Sequence, residues 1–165
     1  QEIDGWDKLS NLKWKPIGRH GWFVDIKSLT VDDVYSLFIE AHKNGHNAFV
    51  HIERELNYLN NGIYSFEELI NLLKRIVDYA YDNDIWLEVN ESSTTISNNN
   101  GAFDRLKAWL TYAKLKGNKI YLGTDAHYYL EVGNFSNILN LLNEIEYPKE
   151  LILNCDENML KTLIN

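Results

Sequence analysis

Asp125 and His127 stand two positions apart in the run Leu122-Gly123-Thr124-Asp125-Ala126-His127. A carboxylate and an imidazole at that spacing can share one cation, and together they suit borderline metals such as zinc, manganese or iron. The same turn has a plainer use, in which Asp125 bonds backbone N–H groups where a strand gives way to a loop. His51 closes the short apolar run Ala48-Phe49-Val50, and Glu88 and Asn90 close another that starts at Ile85. His20 follows a candidate strand from Trp14 to Gly18. Imidazoles and carboxylates thus recur at successive strand ends, although His51 alone also reads as a half-buried histidine satisfied by hydrogen bonds. His42 reads as a residue on the polar face of a helix, and His46 as structural. Cys155 is the only cysteine, so no intrachain disulfide can form, and nothing nearby activates it as a nucleophile. It reads as a packing residue, and the chain as cytoplasmic.

The elements that must position these groups follow from the apolar periods. Thr30 can cap a helix running to Asn44, with Val34, Leu37, Phe38 and Ala41 as its apolar stripe and Gly45 as its stop. Ser65 and Glu68 form a capping box for a second helix reaching about Tyr81. A third spans roughly Ala102 to Lys116 and ends at Gly117, and a fourth lies near Phe135 to Ile145. Asp156 can cap a last helix to Leu163. Between these helices lie apolar runs at His46 to His51, Ile85 to Val89, Lys119 to Gly123 and Leu151 to Asn154, all read as strands.

Strand and helix in alternation predict an α/β protein with a parallel sheet, as a β/α barrel or as an open doubly wound sheet. The near-continuous apolar character of the strands fits a sheet covered on both faces. In either fold a site forms at the C-terminal ends of the strands, where the residues above stand. The 165 residues read as one domain, 1–165, with no linker or repeat to divide them. A net charge of −8 argues against nucleic acid as a partner, and no apolar run is long enough to span a bilayer. No glycine-rich dinucleotide fingerprint or P-loop follows a strand. The chain starts Gln1-Glu2-Ile3-Asp4 without an initiator Met, which suggests a piece of something longer.

Taken together, Leu87-Glu88-Val89-Asn90-Glu91-Ser92-Ser93, the Gly123-Thr124-Asp125-Ala126-His127 run, Tyr147-Pro148 and Leu151-Ile152-Leu153-Asn154 resemble the C-terminal half of the PHP (polymerase and histidinol phosphatase) superfamily. Within it the likeness is to the YcdX-type phosphatases, which show Leu-Glu-Ile-Asn-Asn-Ser-Ser, Gly-Ser-Asp-Ser-His, Phe-Pro and Ile-Leu-Asn at similar spacing. The resemblance covers about half the chain, from about Ile85 onward, and is looser upstream. It implies a distorted (β/α)7, TIM-like barrel, present here in part. It also implies a cluster of divalent metals, zinc, manganese or iron, at the C-terminal face. Asp125 and His127 would be metal ligands, joined by His51 and His20. Asp125 would also orient the attacking hydroxide, and the substrate would be a small phosphorylated molecule.

The departures are as informative. The family opens with His-x-His on its first strand, continues with Asp-His after its second, and carries a bridging Glu on a middle strand. None of these occurs in this chain, and where relatives often have His-Pro-Gly or His-Ile-Gly, it has His51-Ile52-Glu53. The expectation is therefore a C-terminal portion of a metal-dependent phosphoesterase, inactive alone, with a non-catalytic binding or structural remnant as the alternative. A different metal-dependent barrel hydrolase, such as an amidohydrolase-like deacetylase, is a third reading. A partial barrel would expose sheet edges and an apolar interior. Such a chain should pair with a second copy or the missing N-terminal half, or lay its own N-terminal residues over the gap.

Overall fold

The structure is a computed structural model that describes residues 14–17, 29–59, 64–95 and 101–164. Its helices are α1 (Val31–Lys43), α2 (Ile52–Leu59), α3 (Phe66–Asp82), α4 (Glu91–Thr95), α5 (Ala102–Lys116), α6 (Ser136–Glu144) and α7 (Glu157–Ile164). The strands are β1 (Pro16–Ile17), β2 (Ala48–Phe49), β3 (Trp86–Asn90) and β4 (Ile120–Gly123). They form one parallel sheet in the order β1-β2-β3-β4, with Phe49 opposite Leu87 and Asn90 opposite Gly123. The α/β class and parallel pairing expected from the sequence are both present.

Three helices begin where the sequence supplies a capping side chain. Thr30 and Asp33 form a reciprocal capping box for α1, as Ser65 and Glu68 do for α3. Gly117 ends α5 in the left-handed region at φ 84°, which costs a residue without Cβ nothing, and its N–H bonds the Ala113 carbonyl at 2.9 Å. The Asp156 carboxylate accepts from the Met159 N–H at 3.0 Å at the start of α7.

The two faces of the sheet are covered unequally. Phe49, Leu87, Val89, Ile120 and Leu122 join the main core with Phe38 of α1, Leu73 and Ile76 of α3, Trp109 of α5 and Ile138 of α6. The opposite face carries Ala48 and Trp86, packed with Leu153, Trp14, Tyr121, Met159 and Leu160 in a much smaller cluster. Trp14 stands edge-on to Tyr121 at a ring separation of 4.9 Å and to Trp86 at 6.1 Å. Trp14 thus packs on this second face.

Helix α4 is not read from the sequence, and two further elements differ from the sequence reading. Leu151 to Asn154 is not a strand. Successive i−3 bonds, Leu151 N–H to the Pro148 carbonyl at 3.1 Å and Cys155 N–H to the Ile152 carbonyl at 3.0 Å, wind it into 3-10 turns. It still completes the β4 edge. Ile152 forms a single parallel bridge to Ile120, and the Asn154 amide stands in for a peptide group, accepting from Leu122 N–H at 2.7 Å and donating to its carbonyl at 3.2 Å. Cys155, read as a packing residue, is exposed, whereas Leu153 in the same turn is buried in the smaller cluster. The second difference is α2. Among its described side chains Ile52 and Leu56 are the buried apolar ones, too short a period to stand out in the sequence.

Of the described residues, no helix is long and apolar enough to cross a membrane. Leu87→Ala is expected to cost about 2–5 kcal/mol in urea unfolding, because the fully buried side chain sits between helices and sheet. Ser65→Ala, which removes only an exposed cap, should cost about 1 kcal/mol.

Candidate functional site

The chain leaves β2 and turns sharply at His51, whose φ of 32° is unusual for a residue with a Cβ. This turn starts α2 at once, and it aims the His51 N–H back at the neighbouring strand. There the N–H donates to Glu88 Oε2 at 2.9 Å. Asn90, two residues along the same face of β3, donates its amide to the same oxygen at 3.1 Å. The other carboxylate oxygen lies over Gly123 on β4. A Cβ there would come within 2.0 Å of Glu88 Oε1, so only glycine fits beneath the carboxylate. Glu88 therefore ties together the C-terminal ends of three adjacent strands. Burial pushes its pKa up, and the bonds from Asn90 and His51 offset only part of that rise.

Beyond Gly123 the chain turns again at Asp125, also left-handed at φ 49°. Two non-glycine residues in that region, at the ends of β2 and β4, place backbone strain where a site is expected. Burial raises the Asp125 pKa, but the hydrogen bond and charge of Arg54, aided by the His51 and His127 charges, hold it below the usual carboxylate range. Arg54, in the first turn of α2, pairs with the Asp125 carboxylate and donates to Ser92 Oγ at 3.0 Å. Ser92 is in turn fixed by Asn90, whose Oδ1 accepts from the Ser92 hydroxyl at 2.6 Å and N–H at 2.9 Å.

His127 is exposed, and its Nδ1 lies 2.8 Å from the Asp125 carbonyl oxygen. A carbonyl only accepts, so Nδ1 carries a proton, and in the neutral tautomer the lone pair lies on Nε2. Behind these groups lies Glu53. It is fully buried, and burial raises its pKa. Its oxygens meet no donor in hydrogen-bond geometry among the described residues, although Ser93 is near enough to offset part of the burial. The buried Arg105 on α5 is coupled to it by charge.

These residues border a cleft of about 530 Å³ lined by Arg54, Ser92, Thr124, Asp125, His127 and Tyr128, with Glu91, Glu131, Asn134 and Asn137 along one side. Glu91 does not present its charge to this space. Its carboxylate caps α6, accepting from the Asn137 N–H at 3.0 Å, the Asn137 amide at 2.8 Å and the Ile138 N–H at 3.0 Å.

Of the residues singled out in the sequence, His51 and Asp125 come together at one end of the sheet, close enough for their charges to couple. His127 reaches the same cleft by its rim. His20 lies outside the described residues. His42 makes a bond at 2.9 Å between Nδ1 and the Tyr79 hydroxyl, so its helix face is not purely solvent-facing. The donor types suit zinc, manganese or iron. Their arrangement does not by itself complete a metal site: among the described residues no three His, Cys, Asp or Glu side chains gather in reach of one ion, and Arg54 occupies Asp125. Arg54, Glu53 and Ser92 are not read as site residues from the sequence. The available signal was their position, directly after a strand-end His and a strand-end Asn.

No protein-family model matches the chain. Curated proteins do. A protein named "Probable phosphatase" from Clostridium acetobutylicum is 32% identical over 105 residues, which is 64% of this chain and 41% of that protein. One of the same name from Clostridium novyi is 35% identical over 91 residues, 55% of this chain and 37% of that protein. "Probable phosphatase YcdX" from Shigella dysenteriae is 28% identical over 88 residues, 53% of this chain and 36% of that protein. The chain thus spans about two fifths of the length of these relatives.

Two variants probe the site. Gly123→Ala must displace the Glu88 carboxylate, and thermal or urea unfolding should show a loss of about 1–3 kcal/mol. Glu53→Gln tests the buried acid. A carboxyl with a raised folded pKa contributes fully while protonated, below the usual carboxylate range, and loses that contribution as pH rises through the raised value. The stability of the variant relative to wild type should therefore increase as pH rises above the usual carboxylate range. A difference that stays flat with pH would contradict the raised value.

Proposed function

We propose that this chain belongs to a metal-dependent hydrolase of the PHP type and carries part of the site that acts on small phosphate monoesters. The observation that carries the reading is the meeting of His51 from the end of β2 and Asp125 from the end of β4, around Glu88, at one mouth of a parallel sheet. Sites of β/α folds form at that end, and the relatives named as phosphatases point the same way. On this reading the sheet is a segment of a distorted (β/α)7 barrel. A second copy, or the first half of a larger PHP domain, would close it.

His51, Asp125 and His127, with His20, would hold zinc, manganese or iron. When bound, such a metal supplies a water of lowered pKa and neutralises phosphoryl oxygens. The chain's own groups do the rest. Glu88 fixes the strand ends. The Asp125 carbonyl orients His127 so that Nε2 is available, and the depressed Asp125 pKa keeps a carboxylate ready near neutral pH.

The Arg54–Asp125 pair favours a second reading, a PHP remnant that binds an anionic partner without hydrolysing it. The two readings separate in one assay. Hydrolysis of a generic aryl phosphate should appear with added manganese or zinc and fall by roughly 10²-fold or more in Asp125→Asn, as expected when one charged group at a reacting centre is lost. Wild-type chain that binds neither metal nor turns over the phosphate, alone or beside a full-length relative that does, would leave only the binding reading.

A further inference from the structure

Arg54 is a cation built into the mouth of the cleft, and nothing in the metal reading uses it. Its guanidinium is only 22% exposed, and Asp125 beside it 26%. One nitrogen, Nη1, makes both recorded bonds, to Ser92 Oγ and to the Asp125 carboxylate. A guanidinium has five donors in a planar fork, so the remaining donors have no partner among the described residues. The surrounding carboxylates are already engaged. Glu91 is spent on the start of α6, and Glu131 accepts from the His127 N–H at 3.1 Å. The hydroxyl of Thr124 and the side-chain amides of Asn134 and Asn137 complete a lining able to bond oxyanions. At about 530 Å³ the cleft suits a small organic anion.

We propose that Arg54 is the side chain by which this cleft recognises a phosphate dianion, and that Asp125 holds the guanidinium as an internal stand-in for that anion. Asp125 is then an internal competitor. A phosphate dianion exchanges with it on the same fork, and Ser92, itself fixed by Asn90, keeps the fork aimed at the cleft. A cation arriving at Asp125 would free Arg54 for the phosphate by the same exchange. The choice of phosphate among anions rests on the phosphoesterase reading, whereas anion capture by Arg54 does not.

The test is calorimetric titration of the full chain with inorganic phosphate, with folding of each variant checked by circular dichroism. Wild type should bind saturably. Arg54→Gln should weaken binding by about tenfold or more, because a charge-assisted bidentate contact is lost. Arg54→Lys, which keeps the charge but not the fork, should fall between the two. Asp125→Asn should bind at least as tightly as wild type, because the competing carboxylate is gone and asparagine tolerates the left-handed backbone at that position. Absence of saturable binding, an Arg54→Gln titration matching wild type, or a loss in Asp125→Asn as large as in Arg54→Gln would each overturn the proposal. If Arg54→Gln does not fold, the order of Arg54→Lys and Asp125→Asn decides alone. The underlying reading fails separately. Phosphate capture without metal-dependent hydrolysis sinks the enzyme reading and spares Arg54. Hydrolysis with an unchanged KM in Arg54→Gln does the reverse.

Discussion

The placement of one buried carboxylate governs the rest of the site. Glu88 sits on the third of four parallel strands and reaches across to the ends of both neighbours. Taking a carboxyl group out of water is costly unless donors meet it, and here two do, the His51 backbone N–H and the Asn90 amide. The donors are bound to particular backbone geometry. The His51 N–H points at Glu88 only because the chain turns through a left-handed residue at the end of β2. The space for the carboxylate exists only because β4 offers Gly123 beneath it. A single side chain thus fixes where α2 begins, where Asp125 emerges and how the mouth of the cleft is shaped.

A second layer of polar groups follows from the first. Asn90, having given its amide to Glu88, offers its oxygen to Ser92, and Ser92 steadies Arg54. The Leu-Glu-Val-Asn-Glu-Ser-Ser run can therefore be read atom by atom. Glu88 and Asn90 face the site, Leu87 and Val89 enter the main core, Glu91 caps α6, and Ser92 and Ser93 meet Arg54 and Glu53. The same run that resembles a family of phosphoesterases is the run that organises the strand ends.

Much of this was legible before any coordinates. The capping boxes at Thr30 and Ser65, the stop at Gly117 and the parallel pairing follow from local chemistry and period, because few competing structures satisfy those residues. Asp125 and His51 were marked by standing at strand ends. What the sequence did not reveal depended on partners distant along the chain. Leu151 to Asn154 has the apolar character of a strand, but its backbone closes i−3 turns after Pro148, and the edge is completed by a single bridge at Ile152 and by the Asn154 side chain. Arg54 looks like an ordinary charged residue on a short helix until Asp125, 71 residues later, is placed beside it. Glu53 likewise gives no sign of burial, since its cover comes from α5 and from Ser93.

On the function proposed above, His51 and Asp125 would converge on one ion-binding mouth with Arg54 as its movable counter-charge. The most direct measurement is anomalous diffraction from crystals of the full chain soaked in manganese. The predicted result is a manganese peak contacted by His51 and Asp125, with the Arg54 guanidinium turned from Asp125 toward the cleft. A mouth without manganese at saturating concentration, with Arg54 still clasping Asp125, would contradict it.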